Sequence, residues 1–280
     1  MPVALETDLV AGRFLAVRQQ PQAYDPDMRN ILQRSIPYDV LNPRPLPGIQ
    51  PLDLQDWLLV DEAYAEQMAE RARLLSEKPE AVLQMDAQAL EPALELLDMV
   101  LVQLEKGAPA GFSVERDKGR VTRPDGAVIP LDSGEPLHTL AHLLQEDICI
   151  LQKVGDEHVL TGAVLCFPAS WMLSEKFMQP LTGIHVPVDS YTDDSARRVQ
   201  RLFDGVRAGR PLWRFNALWY ADATLHQPRS AHARRDERFA SEADYMRSEK
   251  QSILRLPESD AVVFTIHTYV VERADVENRG

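Results

Sequence analysis

Apolar residues recur along this chain at two spacings, and each spacing predicts a different kind of element. A stripe from Tyr64 to Leu75 and another from Leu94 to Leu104 place apolar side chains three or four positions apart, which is the spacing of one helix face. After Gln145 the apolar residues form shorter, β-branched runs typical of strands. The pattern therefore predicts packed helices in the first half of the chain and a sheet in the second half.

The predicted sheet rests on four apolar runs. Two of them flank Gly155-Asp156 and predict a β-hairpin, because a Gly-Asp pair between strand patterns is typical of a tight turn. The run from Trp213 to Tyr220 alternates in character and predicts a further strand. The run from Ala261 to Glu272 is the clearest strand, and it places His267 and Tyr269 on one face.

Four further segments complete the predicted order of elements. Residues 137–144 show a short helical pattern. Residues 192–209 open with Thr-Asp-Asp, which suits a helix N-terminus, and end with a glycine. Residues 241–254 are predicted to form another helix, capped by Ser241 with Asp244. Residues 112–131 predict short strands around a Pro-Asp-Gly turn.

Residues 1–56 are rich in proline and carry no regular pattern. The prolines between Pro37 and Pro51 are too closely spaced for a regular helix, so we expect an irregular, extended strap over the body of the protein. Residues 57–280 are predicted to form a single domain. Strands joined by a short hairpin, with helices before and between them, indicate an α+β fold in which helices pack against an antiparallel sheet.

The composition is that of an ordinary globular protein and restricts its partners. The 280 residues are 45% hydrophobic and 26% charged, which is enough for a sizeable core. The formal net charge of −13 argues against nucleic acid, which requires clustered basic residues. No apolar run reaches the length of about 18 residues that crosses a bilayer, and the first residues lack the pattern of a signal peptide. We therefore expect a cytoplasmic protein without a membrane partner.

The cysteine count and the absent motifs exclude several kinds of chemistry. Cys149 and Cys166 lie one in each arm of the predicted hairpin, and we expect both to be reduced and buried. Two cysteines are too few for an all-cysteine iron–sulfur cluster. A Gly-rich dinucleotide fingerprint, a phosphate loop and a G-x-S-x-G elbow are all missing from the sequence. A nucleotide cofactor bound in the usual way and esterase chemistry of that type are therefore disfavoured.

His185 is the strongest single candidate for a cofactor ligand. It stands directly before Val186-Pro187, and a residue that precedes proline is pushed into extended geometry. We therefore expect His185, one position earlier, to lie on a rigid extended corner. Other polar residues are spaced along the second half, and each of them also suits a solvated side chain or a structural ion pair. They are Gln145, Glu146, Asp147, Lys176, Arg214, Asn216, Arg247, Gln251, Arg255 and Tyr269.

Six separated runs of this sequence resemble one known family. They are QEDICIL, FPASWMLSEK, IHVPV, RFN, RSEKQSILRLP and AVVFTIHTY, in that order, and the earlier run DWLLVDEAY also fits. On these runs the chain resembles the heme-dependent oxidative N-demethylase alpha-subunit family. The resemblance covers residues 57–272.

The resemblance implies a fold, a cofactor and a reaction. The fold would be PAS-like, and the cofactor would be heme b. The characterised family enzyme uses O2 at the heme iron to remove a methyl group from a small secondary amine, such as dimethylamine, as formaldehyde. Because this chain has neither a flavin or nicotinamide fingerprint nor enough cysteines for a cluster, a separate reductase is implied. The alternative is a PAS-like heme- or ligand-binding sensor, or a scaffold component, without turnover.

The resemblance also implies roles for individual residues. His185 matches the family's I-H-x-P-V motif and is the expected axial ligand of the heme iron, with His267 as its rival. Tyr269, on the same strand face as His267, is an expected catalytic residue.

The charged residues fall into two groups. Glu146 or Asp147 would supply the negative charge for a cationic amine, or would instead form structural ion pairs with Arg214 or Arg247. Cations and polar donors are expected to bind the heme propionates, and an aromatic side chain is expected beside the ring. The expected cofactor-binding residues besides His185 are Trp171, Lys176, Arg214, Asn216, Arg247, Gln251 and Arg255.

Overall fold

The computed structural model describes residues 30–45, 47–169, 171–184, 193–230 and 243–277. Within them, seven strands form one antiparallel sheet in the order β1-β8-β9-β10-β6-β7-β2, and three form a smaller sheet in the order β3-β4-β5. The strands are β1 (Gln50–Pro51), β2 (Leu83–Met85), β3 (Ser113–Glu115), β4 (Arg120–Thr122), β5 (Val128–Pro130), β6 (Asp147–Val154), β7 (Glu157–Val164), β8 (Leu212–Tyr220), β9 (Tyr245–Arg255) and β10 (Val262–Glu272).

Helices lie between the short early strands of the large sheet and also between its later strands. They are α1 (Tyr64–Glu77), α2 (Pro79–Val82), α3 (Leu90–Glu105), α4 (Pro136–Leu143), α5 (Leu173–Lys176), α6 (Leu181–Ile184), α7 (Asp193–Gly205) and α8 (Arg273–Glu277). Single 3-10 turns cover Leu54–Asp56, Ala87–Ala89 and Arg116–Lys118. The α+β prediction is therefore confirmed. Across the described residues, no helix is both long enough and apolar enough to cross a membrane.

The two apolar stripes of the first half form α1 and α3, as predicted. Their buried residues join one core cluster with α4 and with strands β6 and β7. The glycine after α3, Gly107, adopts a φ of +75°, a conformation that suits glycine and ends the helix. This helical layer supports one side of the large sheet.

The hairpin prediction is also confirmed, since β6 and β7 meet at Gly155 with its φ of +62°. Cys149 pairs with Ala163 across the hairpin, whereas Cys166 lies just beyond the end of β7. Both thiols are free and buried, as expected. The strand predicted from Ala261 to Glu272 is also confirmed, as β10, which lies between β9 and β6 in the sheet.

Residues 245–255 form strand β9, so the helix predicted to run through Leu254 is wrong. The predicted cap residue Ser241 lies outside the described residues. β9 lies between β8 and β10, and most of its polar side chains are buried because covering elements and internal partners surround them. A strand of this kind shows no alternation of apolar and polar residues, so the sequence pattern does not reveal it as a strand. Helix α7 also ends earlier than predicted, at Gly205 and not at Gly209.

The large sheet has two distinct faces because cross-strand partners point to the same side. We call the face that carries Thr265, His267 and Tyr269 of β10 the strap face. We call the opposite face, with Phe264 and Thr268, the helix face. Apolar residues of α5, α6 and α7 pack there against β6, β9 and β10 in a second core cluster. Its buried members are Cys149, Leu151, Leu160, Ala163, Leu165, Leu173, Leu181, Phe203, Val206, Ile253 and Val262.

The strap, described here as residues 30–45 and 47–56, lies against the strap face of the sheet. Gln33 exchanges backbone and side-chain hydrogen bonds with Val270 of β10, each at 2.9 Å. The ring of Tyr38 stacks on Phe215 of β8 with centroids 4.5 Å apart, and its hydroxyl lies 2.9 Å from Oγ of Ser248. The strap therefore covers polar as well as apolar groups of the sheet.

A fully buried ion pair joins the helical layer to the sheet. Arg71 of α1 donates from Nη1 to Oδ1 of Asp147 at 2.6 Å, and the two side chains are 0% and 1% exposed. Its other donors reach the backbone carbonyls of Ala141, Gln145 and Glu146. Asp147 in turn accepts the backbone N–H groups of Cys166 and Phe167, each at 2.8 Å. We call these two side chains and their partners the Arg71–Asp147 clamp.

The clamp predicts a large loss of stability when one partner is neutralised. In Asp147→Asn, the Arg71 charge stays buried without its counter-charge, so we expect the free energy of unfolding to fall by about 3 kcal/mol or more. Urea denaturation of the purified variant measures this. Asp98→Asn, which removes a 65%-exposed partner of Arg116, is the control and should change stability by less than about 1 kcal/mol. Equal effects in the two variants would contradict the role given to the clamp.

Candidate functional site

Several of the residues predicted to bind a cofactor meet on the helix face of the sheet. Arg214 and Asn216 of β8 pair in register with Gln251 and Glu249 of β9, so these four side chains share one face. Lys176, at the end of α5, lies close enough to Glu249 for their charges to interact. We call these five residues the β8–β9 patch. It lies beside the apolar cluster that α5, α6 and α7 form against the sheet.

The cations of the β8–β9 patch are desolvated. Burial lowers the pKa of Lys176 to about 8, and its Nζ lies 4.4 Å from the ring centre of Trp171. Burial also lowers the pKa of Arg214, whose Nε is buried without a hydrogen-bond partner. The charge of Glu249 raises both pKa values, and that of Glu175 raises the pKa of Lys176, but burial outweighs them. Because burial makes a cation costly even when one carboxylate is near, this arrangement of two cations suits an anionic ligand.

Glu249 is the residue of this patch that the sequence analysis missed. It is 7% exposed. Its Oε2 accepts hydrogen bonds from the side-chain amides of Asn216 at 3.0 Å and Gln251 at 3.1 Å. A second bond, from its backbone N–H to Oδ1 of Asn216, holds the two strands at this point. Asn216 and Gln251 therefore fix the position of a carboxylate on the helix face.

Arg247 and Arg255, also predicted to bind a cofactor, mainly tie elements together. Arg247 donates to the backbone carbonyls of Thr224, Leu225 and Phe167, although its Nε remains unpartnered. Arg255 donates to the backbone carbonyls of Phe203, in the last turn of α7, and of Val206, just after that helix. It also forms an ion pair of 2.9 Å with Asp260. These bonds use most of the donors that the two arginines could offer a ligand.

The predicted catalytic carboxylates Glu146 and Asp147 hold internal positions. Asp147 belongs to the Arg71–Asp147 clamp. Glu146 accepts from the backbone N–H of Leu59 at 2.9 Å and from Nδ1 of His267 at 3.1 Å, while its Oε2 is buried without a partner. The structural ion pairs expected with Arg214 or Arg247 are not formed; Arg71 and His267 are the partners instead.

His267 lies between two carboxylates on the strap face. Nδ1 faces Glu146, and Nε2 faces Oδ2 of Asp61 at 3.0 Å. Burial alone would lower the pKa of His267, but the hydrogen bonds to these carboxylates outweigh burial and raise it to about 9. Both ring nitrogens are therefore engaged in this structure. We call Asp61, Glu146 and His267 the charged triad.

Tyr269 lies beside the charged triad and not in the β8–β9 patch. Its ring centroid is 4.7 Å from that of His267 and 6.0 Å from that of Tyr38 in the strap. Burial raises the pKa of the Tyr269 hydroxyl. The sheet therefore separates this predicted catalytic residue from the residues predicted to hold the cofactor.

His185 lies outside the described residues, so its predicted role as a metal ligand stays a prediction. Helix α6 ends at Ile184, directly before it in sequence. Leu181, in the first turn of α6, is buried in the apolar cluster on the helix face. Among the residues that the structure describes, no group of three or more His, Cys, Asp or Glu side chains is arranged to hold a metal ion.

The fold and the β8–β9 patch define the class of protein: an α+β domain whose sheet presents two partly buried cations beside an apolar cluster. Residues 48–280 match the family described as "Haem-dependent oxidative N-demethylase, alpha subunit-like". The match covers most of the chain, so the protein belongs to that family, and the resemblance of its sequence motifs is confirmed. The description of the family names heme dependence and an alpha-subunit character.

The state of His267 predicts a pH-dependent stability. Because its pKa of about 9 in the folded protein exceeds the ordinary 6.5, the stability it contributes is fully present below pH 6.5 and is lost as the pH rises through 9. Asp61, whose pKa hydrogen bonds lower to about 2 against the effect of burial, contributes stability that is lost as the pH falls from 3.8 toward 2. We expect the urea midpoint to fall between pH 6.5 and 9, and to fall less in His267→Gln.

His138→Gln is the matched control for that measurement. His138 is exposed on α4, so this variant should follow the same pH profile as the unsubstituted protein. An alkaline loss of stability of equal size in His267→Gln and the unsubstituted protein would show that the charged triad does not titrate as described.

Proposed function

We propose that this protein is a heme-dependent oxygenase that removes a methyl group oxidatively from a small secondary amine, such as dimethylamine, with release of formaldehyde. The observation that carries the proposal is the pair of partly buried cations on the helix face, Lys176 and Arg214, whose pKa values burial lowers although Glu249 is near. Heme presents two carboxylates at one edge and a large apolar surface elsewhere. The family membership supplies the rest of the argument.

The helix face fits heme b in chemistry as well as in charge. Trp171, Phe177 and Phe264 are partly buried aromatic side chains that pack against the apolar cluster there. Such a surface suits the porphyrin ring, while charge-assisted hydrogen bonds from Lys176 and Arg214 suit its propionates. The strands β7-β6-β10-β9-β8, with α5 to α7 inserted between β7 and β8, support the PAS-like fold that the family implies.

His185 is the axial ligand in this proposal. Both nitrogens of the rival, His267, are engaged by carboxylates on the strap face. His185 follows α6 directly, and α6 packs on the helix face through Leu181. A ligating imidazole is neutral and donates its other N–H to a carbonyl or carboxylate, which fixes its tautomer.

Bound heme supplies the iron at which O2 oxidises the N-methyl group. The residues of this chain do the rest: Lys176 and Arg214 hold the propionates, and the apolar cluster keeps water from the ring. Electrons come from a separate reductase in this proposal, and the alpha-subunit character of the family supports a multi-component assembly. The proposed domain division is a strap of residues 1–56 and a heme domain of residues 57–280.

One observation favours a second candidate, a heme- or ligand-binding sensor without turnover. Glu146 and Asp147, the carboxylates expected to act on the amine, are both engaged in internal ion pairs. Tyr269 lies on the opposite face of the sheet from the β8–β9 patch. Formaldehyde release from dimethylamine, O2 and a reductase separates the enzyme from the sensor, because a sensor binds heme without producing formaldehyde.

The charge of the patch predicts how heme binding responds to substitution. We expect Lys176→Met and Arg214→Met each to weaken hemin affinity about tenfold, because each removes one charge-assisted contact to a propionate. Hemin titration followed at the Soret band measures this. Lys153→Met, which removes an exposed cation paired with Asp204, is the control and should bind hemin normally. The β8–β9 patch is not the propionate site if all three variants bind equally well.

The ligand assignment predicts a difference between two histidine variants. His185→Ala should lose heme or show the spectrum of a heme without this ligand, and added imidazole should partly restore it, because alanine offers no donor atom. His267→Ala should keep the heme spectrum while losing stability. Ferric and ferrous-carbonyl spectra of both variants test this, and the reverse pattern would assign the iron to His267.

A further inference from the structure

A cavity of about 480 Å³ lies between the strap, the end of β10 and helix α8. Three buried valines in its lining, Val40, Val271 and Val276, belong to one apolar cluster. Its volume falls within the range of about 300 to 1,000 Å³ that is typical of ligand-binding cavities. Val271 shares the strap face with Tyr269. The cavity therefore lies across the sheet from the β8–β9 patch and takes no part in the heme site proposed above.

The rim of the cavity combines an apolar side chain with two carboxylates. Leu41 lines the cavity and is 47% exposed. Asp39 and Asp275 also line it, and both are exposed. The hydrogen bonds that Asp39 accepts come from uncharged donors, namely the backbone N–H groups of Leu41 and Asn42 and the side-chain amide of Asn42. The occupant that fits such a cavity is apolar and carries positive charge at its ends.

The chain enters the described part of the fold beside this cavity. Asn30 donates from Nδ2 to the hydroxyl of Tyr245 at 3.1 Å. Tyr245 begins β9 and pairs with the last residue of β10, next to Val271. Ser35, a little further along the strap, already lines the cavity. Residues 1–29, which lie outside the described residues, are thus joined to the fold at this point.

One short run within residues 1–29 matches the cavity in apolar character and in charge. Residues 13–18 read Arg-Phe-Leu-Ala-Val-Arg, so an apolar stretch lies between two cations. The cavity offers the complement, an apolar lining between two carboxylates. The stretch from Arg18 to Asn30 spans up to about 40 Å when extended, which is ample for the run to return to a cavity beside Asn30.

We propose that residues 13–18 bind in this cavity, with their apolar side chains on the valines and their two arginines beside Asp39 and Asp275. The tether makes this binding intramolecular, so the run is present at an effective concentration of about millimolar without any free partner. Binding removes Leu41 and the valines from water and gives both carboxylates a counter-charge. The run thereby extends the strap along the end of the sheet.

This docking is separate from the heme function. The family match begins at residue 48, so it includes neither the run nor the strap residues that line the cavity. The docking is therefore an inference about this chain's own first residues. Its tests read the position of the run and need no bound heme.

Disulfide trapping in the full chain is the first test. Ala16→Cys combined with Leu41→Cys places one thiol in the run and one at the rim, and the natural cysteines are buried. We expect rapid formation of an intramolecular disulfide under mild oxidation, seen as a mobility shift on a non-reducing gel, because the two thiols are held close together.

The matched control combines Ala16→Cys with Leu218→Cys. Leu218 is 50% exposed, much as Leu41 is, but it lies on β8 opposite Arg247 and not at the cavity. This pair should cross-link about tenfold more slowly, because only chance encounters bring the two thiols together. Equal rates for the two pairs would overturn the docking. Covalent dimers in place of intramolecular links at Leu41 would overturn it too, since a second copy would then fill the cavity.

Tryptic cleavage of the full chain is the second test. Trypsin cuts after arginine, so docking should protect the bonds that follow Arg13 and Arg18. We expect Phe14→Ser to raise the cleavage rate at both bonds about tenfold, because cleavage follows the population of the undocked run. Leu9→Ser removes an apolar side chain outside the run and should leave the rate unchanged. Cleavage that is equally fast in Phe14→Ser and the unsubstituted protein would overturn the docking.

Discussion

The Arg71–Asp147 clamp is the interaction on which the rest of this structure depends. A buried guanidinium is tolerated only when its N–H donors have acceptors and its charge has a counter-charge. Here the carboxylate of Asp147 neutralises the charge, and three backbone carbonyls accept the other hydrogen bonds. Asp147 also holds the backbone of Phe167, whose carbonyl accepts from Arg247 of β9. Contacts thus run from α1 through β6 to β9. They fix the point from which the chain leaves β7 toward Trp171 and Lys176.

The two faces of the large sheet use charge in opposite ways. On the strap face, His267 lies between Asp61 and Glu146, and Gln33 of the strap donates a hydrogen bond to Asp61. On the helix face, Lys176 and Arg214 are partly buried, and burial lowers their pKa values although the charge of Glu249 acts in the opposite direction. Paired charges explain how a fold holds together, whereas cations whose pKa values burial lowers have a cost that the fold alone does not explain. The helix face is therefore where a ligand is expected.

Local sequence patterns were sufficient to predict elements that bury apolar side chains, such as the hairpin at Gly155 and helix α1. They failed for β9, because its buried side chains are polar and are satisfied by partners far away in sequence. Glu249 was overlooked for the same reason, since only the register with Asn216 shows that it is held in place. The sequence does carry a signal for Arg71, although no prediction used it: an arginine within the apolar stripe of a helix indicates a buried acidic partner.

Heme binding by itself does not separate an enzyme from a sensor, because both need cations for the propionates and a ligand for the iron. The same holds for Glu249, the carboxylate of the β8–β9 patch. Two amides hold its Oε2, and the positive charges of Lys176, Arg214 and Arg247 interact with it. A carboxylate among three cations lowers the cost of burying them, so Glu249 stabilises this face of the sheet in an enzyme and in a sensor alike. Only the release of formaldehyde, a product that a sensor does not make, separates the two functions.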